Sequence, residues 1–311
     1  MAGSVLLRAA NLKRPTPRRA LNESRLAGIA LICGAAIHFA FLDTSVKYLA
    51  TVAHVPLLQI VWLRFAMNAF FITALMGRKV AVLSLKSRKL GLQCLRSFFL
   101  LATTAFNFFA LQFLQLDQTS TIFFLSPLII AALAGPILNE WVGWHRLIVI
   151  CIGFSGVIFI TRPFFGGIHW AVSFSFLSTL GYALYSLLTR YLARFDKPST
   201  TVVHTPLAGT ILLAPFAISA WQTPQSTGYL ILLLLTGILG GAGHWLLVLA
   251  HERAPAPVLA PFTYVNVVFM ISLGYIVFSD VPSWWTFAGA AIIVSSGAYI
   301  VFRERQMVCV D

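Results

Sequence analysis

The chain of 311 residues is 59% hydrophobic and only 10% charged, with a mean hydropathy of +0.86, where a soluble domain carries about 25% charged residues. That composition excludes a soluble globular domain and specifies a polytopic membrane protein. The formal net charge of +13 does not signal a nucleic-acid partner, because the Lys and Arg residues cluster in short segments between apolar runs, where they set orientation in a bilayer.

Residues 1–25 form a basic tail, with Arg8, Lys13, Arg14, Arg18, Arg19 and Arg25 against one acid, Glu23. The apolar run that follows is too long for a signal-peptide core and lacks a clear cleavage site. A cytoplasmic tail that helps set topology is preferred here over an Arg-rich transit peptide. Apolar runs then recur near 26–49, 56–76, 90–113, 119–138, 144–162, 168–190, 201–221, 228–250, 256–279 and 284–302. Each approaches the ~20 residues that a spanning helix needs. The expected fold class is therefore all-α and integral to the membrane, with ten transmembrane helices and short connections.

With these spans, segments on one side hold 18 of the 22 Lys and Arg residues, including Arg78, Lys79, Lys86, Arg88, Lys89, Arg190, Arg194 and Lys197. The other side holds only Arg162. The positive-inside rule then predicts a multi-pass protein of the cell (inner) membrane with both termini cytoplasmic.

The chain also repeats itself. Lys47-Tyr48-Leu49-Ala50 closes the first span, and Arg190-Tyr191-Leu192-Ala193 closes the sixth. Leu138-Asn139-Glu140 with Trp144 ends the fourth, and Phe278-Ser279-Asp280 with Trp284 ends the ninth. Gly156 and Gly297 also correspond. The shared order divides the chain into units 26–163 and 164–303, with a second tail at 304–311. An odd number of spans per unit inserts the second unit upside down, a five-plus-five inverted repeat of the kind many transporters use.

Charges inside apolar runs are costly and usually face a protein interior or a watery cavity. Asp43 lies about 9 Å from the outer end of the first span and Arg64 about 12 Å from the outer start of the second, so the two can meet. They read either as an ion pair fixing the first two helices or as a charge cluster touching a substrate or its gate. Lys47, one turn beyond Asp43, is placed to snorkel outward, and Arg96, six residues into the third span, to snorkel to the cytoplasmic face. His38, near mid-depth, reads as a neutral imidazole bonded to a neighbouring helix or as a proton relay.

Asn107 and His244 occupy corresponding spans of the two units, Asn107 toward the outer side and His244 toward the inner. They suggest one central cavity with two mouths, or else interhelical hydrogen bonds. Pro127 within the fourth span is expected to bend it. Pro206 and Pro215 lie in the seventh, and Pro255, Pro257 and Pro261 open the ninth. Gly237 and Gly241 form a close-packing pair in the eighth span, as Gly153 and Gly156 do in the fifth. Tyr182, Tyr185, Tyr264 and Asn266 are polar-tipped residues inside spans, either core or substrate contacts. No HExxH, GxSxG or P-loop occurs, and the acids form no pair suited to acid–base chemistry, so no enzyme is expected. Cys33, Cys94, Cys151 and Cys309 show no ligand spacing, so no metal, disulfide framework or cofactor is expected either.

Over about 26–303 the chain resembles the drug/metabolite transporter superfamily, and within it the EamA-type permeases. The resemblance is carried by Asp43 and Lys47, by Arg64 in IVWLRF, by Arg96 in CLRSFFLL, by FLSPLIIAALAGPILNE with its Pro127 and Glu140, by GFSGVIFITRP, and by APFTYVNVVFM. Asp280 stands where the second unit usually has a glutamate. The resemblance implies a permease that tilts two repeats about a central cavity, opening it to one face at a time. The DxxxK of the first span and the PFxY of the ninth are similar to bacterial carriers of S-adenosylmethionine and riboflavin; amino-acid exporters share the architecture. The partners expected are a small-molecule substrate and the lipid bilayer, with a homodimer left open. An integral-membrane enzyme or a non-transporting scaffold is the competing class, which the repeat and the missing catalytic set disfavour.

Overall fold

The computed structural model describes residues 17–138, 148–149, 151–152, 155–156, 169–253, 262 and 265–308. Its helices are α1 (Pro17–Thr51), α2 (Leu57–Met76), α3 (Arg78–Leu83), α4 (Leu90–Leu111), α5 (Leu116–Phe123), α6 (Ser126–Leu138), α7 (Ala171–Leu192), α8 (Pro198–His204), α9 (Leu207–Ser219), α10 (Thr227–Arg253), α11 (Val265–Phe278) and α12 (Trp284–Val308). Helices satisfy every backbone polar group within one segment, which lipid demands. Leu26–Thr51, Leu57–Met76, Leu90–Leu111, Ala171–Leu192, Pro198–Ser219 and Thr227–Ala250 are long and apolar enough to cross a membrane. Leu116–Ile130, which takes in α5 and the start of α6, Val265–Phe278 and Trp284–Ser296 are shorter apolar helical stretches. Most of the expected fifth span, including Gly153, lies outside the described residues, as do Glu140, Pro255, Pro257, Pro261 and Tyr264.

The packing pairs one unit with the other. α1 on α10 and α4 on α7 are the two most extensive interfaces, each setting the first span of one unit against the third of the other. α11 lies on α1 as α6 lies on α7, again with the units exchanged, and α2 meets α9, second span on second span. α1 and α10 run antiparallel, since Gly34 faces Leu246, Phe39 faces Gly243 and Tyr48 faces Tyr229. First and third spans of one unit run the same way, so the second unit enters with opposite sense. This is the geometry of an inverted repeat.

Gly237 brings α10 against α2: a Cβ there would lie 2.8 Å from the backbone oxygen of Arg64 and would collide with Met67. The close-packing role expected of Gly237 and Gly241 is thus real. The expected bend at Pro127 takes the form of a break, because α5 stops at Phe123 and α6 begins at Ser126. Pro127 has no N–H to continue the ladder and sits in the first turn of α6, where none is needed. Pro206 separates α8 from α9 in the same way.

Two turns end their helices with a residue in the left-handed region. After α1, His54 has φ 51° and the Val55 N–H returns to Leu49 O. After α11, Ser279 has φ 56° and the Asp280 N–H returns to Gly274 O. Both have the six-to-one bond of a Schellman motif, normally built on glycine. The second turn folds Asp280 back toward α1.

Candidate functional site

A cavity of about 200 Å³ lies between the units, walled by side chains of α1, α2, α4, α5, α7, α10 and α11. Its wall is largely apolar, with Phe39, Leu42, Phe108, Phe123 and Met270 among its residues. Asp43, Arg64, Asn107, His244 and Asn266 interrupt that wall. An apolar cleft with a few placed polar groups is the usual form of a small-molecule site.

The polar residues are held by short local geometry. Asn107 Nδ2 donates to Asp43 Oδ1 at 3.2 Å, joining α4 to α1. Asn266 Nδ2 donates to Ala36 O at 3.0 Å, joining α11 to α1. The His244 ring meets the edge of Phe39 with centroids 5.1 Å apart. Arg64 is 4% exposed, its guanidinium 4.6 Å from the Phe65 ring and 5.9 Å from the Phe108 ring. Gly240 on α10 leaves space beside it, its missing Cβ falling 3.6 Å from Arg64 Nε.

Several expectations change here. Asp43 and Arg64 share the cavity, but among the described residues no ion pair joins them; Asp43 takes Asn107 instead. Lys47 does not snorkel. Its Nζ lies 2.8 Å from Asp280 Oδ2, with the two side chains 10% and 22% exposed, and 4.7 Å from the Phe278 ring. Arg96 does not snorkel either: it is fully buried at 0% exposure. Its Nη2 donates to Thr201 O at 2.6 Å and Thr205 Oγ1 at 2.8 Å, Nη1 to Thr189 Oγ1 at 3.3 Å and Nε to Gln93 Oε1 at 3.2 Å. The Tyr185 ring lies beneath it at 4.9 Å. A buried guanidinium surrounded by acceptors has no reason to pay the entropy of reaching for water. His38 bonds Gly34 O on its own helix at 2.8 Å and, among the described residues, none on a neighbouring one. Tyr185 belongs to Arg96 and Tyr182 to the cavity. Tyr264 lies outside the described residues, as does the side chain of Pro127.

The two ends of the bundle are cross-linked differently. One end holds the Lys47–Asp280 pair, with Gln59 exchanging hydrogen bonds with the Gln222 backbone at 3.0 and 3.2 Å. Asn107, late in α4, is level with Asp43, late in α1, so the start of α4 lies at the opposite, basic end. There Asp196 accepts from Ser87 Oγ at 2.5 Å, the Arg88 N–H at 2.8 Å and Gln93 Nε2 at 3.0 Å. Burial works against the charge of Asp196, but the Ser87, Gln93 and Arg88 donors outweigh it and hold the carboxyl below the usual range. Gln93 therefore connects Asp196 to Arg96. Sequence reasoning passed over Gln59, Gln93 and Asp196; the repeat alignment had marked Asp280 but not its partner.

The family model of the EamA-like transporters matches residues 26–162 and again 169–303. The chain belongs to the EamA-like transporter family. Its relatives include a riboflavin transporter of Vibrio cholerae, 27% identical over 90% of this chain and 95% of that protein. An S-adenosylmethionine uptake transporter of Rickettsia prowazekii is 23% identical over 85% and 88%. A pseudopaline exporter of Pseudomonas aeruginosa is 24% identical over 86% and 93%. One crystal structure superposes with a TM-score of 0.61 over 92% of this chain and 99% of its own at 17% identity, a likeness of fold alone. The EamA-like chain is thus a multi-span membrane protein of a transporter family, not an enzyme.

Proposed function

We propose that this EamA-like chain is a secondary transporter that carries a small organic metabolite, riboflavin or S-adenosylmethionine or a compound built like them, by alternating access. The observation that carries the reading is the cavity between the units. Asp43, Arg64, Asn107, His244 and Asn266 converge there, within spans, on a wall otherwise apolar. Polar side chains at that depth are costly and mark substrate or ion pathways by default, and repeat transporters bind near the midplane at the repeat interface. The Lys47–Asp280 pair and the Asp196–Gln93–Arg96 network are the two gates, each joining one unit to the other. Lys47, Arg96 and Tyr185 are gating residues on this reading, and Asp43, Arg64, Asn107, His244 and Asn266 line the path. The protein resides in the inner membrane with the basic end in the cytoplasm.

An exporter of the same architecture is the second reading, supported by the likeness to the pseudopaline exporter. Purified protein in liposomes, assayed for flux of riboflavin, S-adenosylmethionine and an amino-acid panel in both directions, tests both. Saturable flux of one compound is expected. A sealed vesicle that passes none of them above the protein-free level removes the transport reading.

A further inference from the structure

Among the described residues of the cavity wall, the buried polar atoms without a partner belong to Arg64 and to the hydroxyl of Thr103, and only Arg64 carries a charge. It is 4% exposed, and among the described residues neither its Nε nor its Nη1 has a hydrogen-bond partner. An arginine keeps its charge at any ordinary pH and has five N–H donors to satisfy. A buried charged donor without an acceptor costs more than the ordinary ~1–3 kcal/mol of a neutral orphan. Contrast Arg96 in the same bundle, whose Nε, Nη1 and Nη2 all find oxygens. The Phe65 and Phe108 rings near Arg64 stabilise the cation but accept no proper hydrogen bond. Gly240 keeps the space beside Nε clear.

Resting on the transporter reading, we infer that Arg64 is the specificity-determining residue and binds planar acceptor oxygens of the substrate, a carboxylate or a conjugated ring carbonyl, with Phe108 beside it for the substrate's apolar face. Asp43 lines the same cavity, so the site presents both signs. It suits a dipolar solute with an acceptor-rich end, not a bare anion. A carboxylate source and a ring-carbonyl source satisfy the same donors. A carrier of amino-acid-like solutes uses the first and a carrier of flavin-like solutes the second.

The test is made on the full chain in liposomes. Uptake of S-adenosylmethionine is compared with that of its carboxyl methyl ester, and uptake of riboflavin with that of its 2-thio and 4-thio analogues, whose sulfurs are weak acceptors. In the natural chain the modified member of the carried pair is expected to lose at least about tenfold in apparent affinity, the size of a hydrogen bond to a charged group. Loss confined to the ester identifies the carboxylate source, and loss confined to the thio analogues the ring-carbonyl source. Arg64→Gln is expected to bind both members of the pair equally weakly. Should Arg64→Gln not fold, Gly240→Ala serves in its place. Its methyl would sit at an ordinary 3.6 Å from Nε, so the fold survives while the acceptor is crowded, and apparent affinity for the unmodified probe falls. If the natural chain carries neither probe, the assignment of Arg64 to these acceptor oxygens is overturned, while the transport reading stands or falls on the wider flux panel. If a probe is carried but its acceptor-modified form is carried equally well, or if Arg64→Gln discriminates as the natural chain does, the Arg64 assignment alone is overturned.

Discussion

Lys47 and Asp280 are separated by 233 positions in the chain and 2.8 Å in space. Neither residue alone tells of the other; Lys47 one turn from a helix end looks like a side chain reaching for water. Truncating one partner strands a charge in a poorly hydrated place, while truncating both does not. Lys47→Ala and Asp280→Ala are each expected to lower the melting temperature of the detergent-purified protein more than the double variant does. Their coupling should fall within the ~0.5–3 kcal/mol typical of residues in contact. Additive losses would mean the pair does not form. At the other end, Asp196 makes a pH-dependent contribution whose sign is fixed by its donors. Its folded pKa lies below the ordinary carboxylate value of about 3.9. The stabilisation is therefore complete above the unfolded value and is lost as pH falls through the folded one. The melting-temperature gap between the natural chain and Asp196→Asn should hold constant from about pH 8 to pH 5 and close below about pH 4. A gap that widens in acid would refute the assignment of these donors.

Helices report themselves well in this chain, since lipid forces apolar runs of nearly fixed length. The interruptions at Pro127 and Pro206 were visible for the same reason, because proline removes a ladder bond wherever it falls. Partners were not visible. Arg96 at six residues depth looks able to reach the surface, and only its acceptors forbid it. Thr189, Thr201 and Thr205 arrive from α7, α8 and the turn after it, about a hundred positions later. The six-residue helix α3 (Arg78–Leu83) was hidden by its basic composition, which reads as loop. Gly237 was legible as a small residue but not as the contact with the Arg64 backbone. Gly237→Ala is expected to separate α10 from α2, reducing the monodisperse yield several-fold in size-exclusion chromatography. Gly228→Ala, where the nearest atom outside the neighbours would be 3.7 Å away, is expected to behave as the natural chain. Equal yields from the two would show that α10 and α2 tolerate a wider spacing.

On the scale of the molecule, the recurrence of short sequence matches predicted an inverted repeat, and the exchanged interfaces α1–α10 and α4–α7 are the packing such a repeat adopts. The proposed orientation follows from charge bias alone. A reporter active only in the cytoplasm, fused after Arg305, should give signal, while one active only outside should stay silent; the reverse would invert the molecule in the membrane. The cavity makes a second demand. Asn107 is level with Asp43 and His244 with Phe39, about one helical turn apart, and both face the same space. Asn107→Cys and His244→Cys, in a chain whose four native cysteines are replaced, should both react with a small polar thiol reagent. Substrate should slow at least one of them. Inert cysteines under every condition would mean a sealed interior and would remove both residues from the path.

The two proposed gates are made of unlike materials. One is a single ion pair, partly open to solvent and weakened by salt. The other is a buried mesh of neutral oxygens around Arg96, tied to Asp196 through Gln93, that salt barely touches. In a carrier with these gates the empty protein does not spend equal time facing each side, and rising ionic strength shifts that resting orientation toward the state in which the Lys47–Asp280 end is open. Such a bias leaves the final distribution of solute untouched, since that is set by the gradients. What it changes is how long an idle molecule waits with its cavity turned toward one compartment, and so how promptly it responds when substrate appears there.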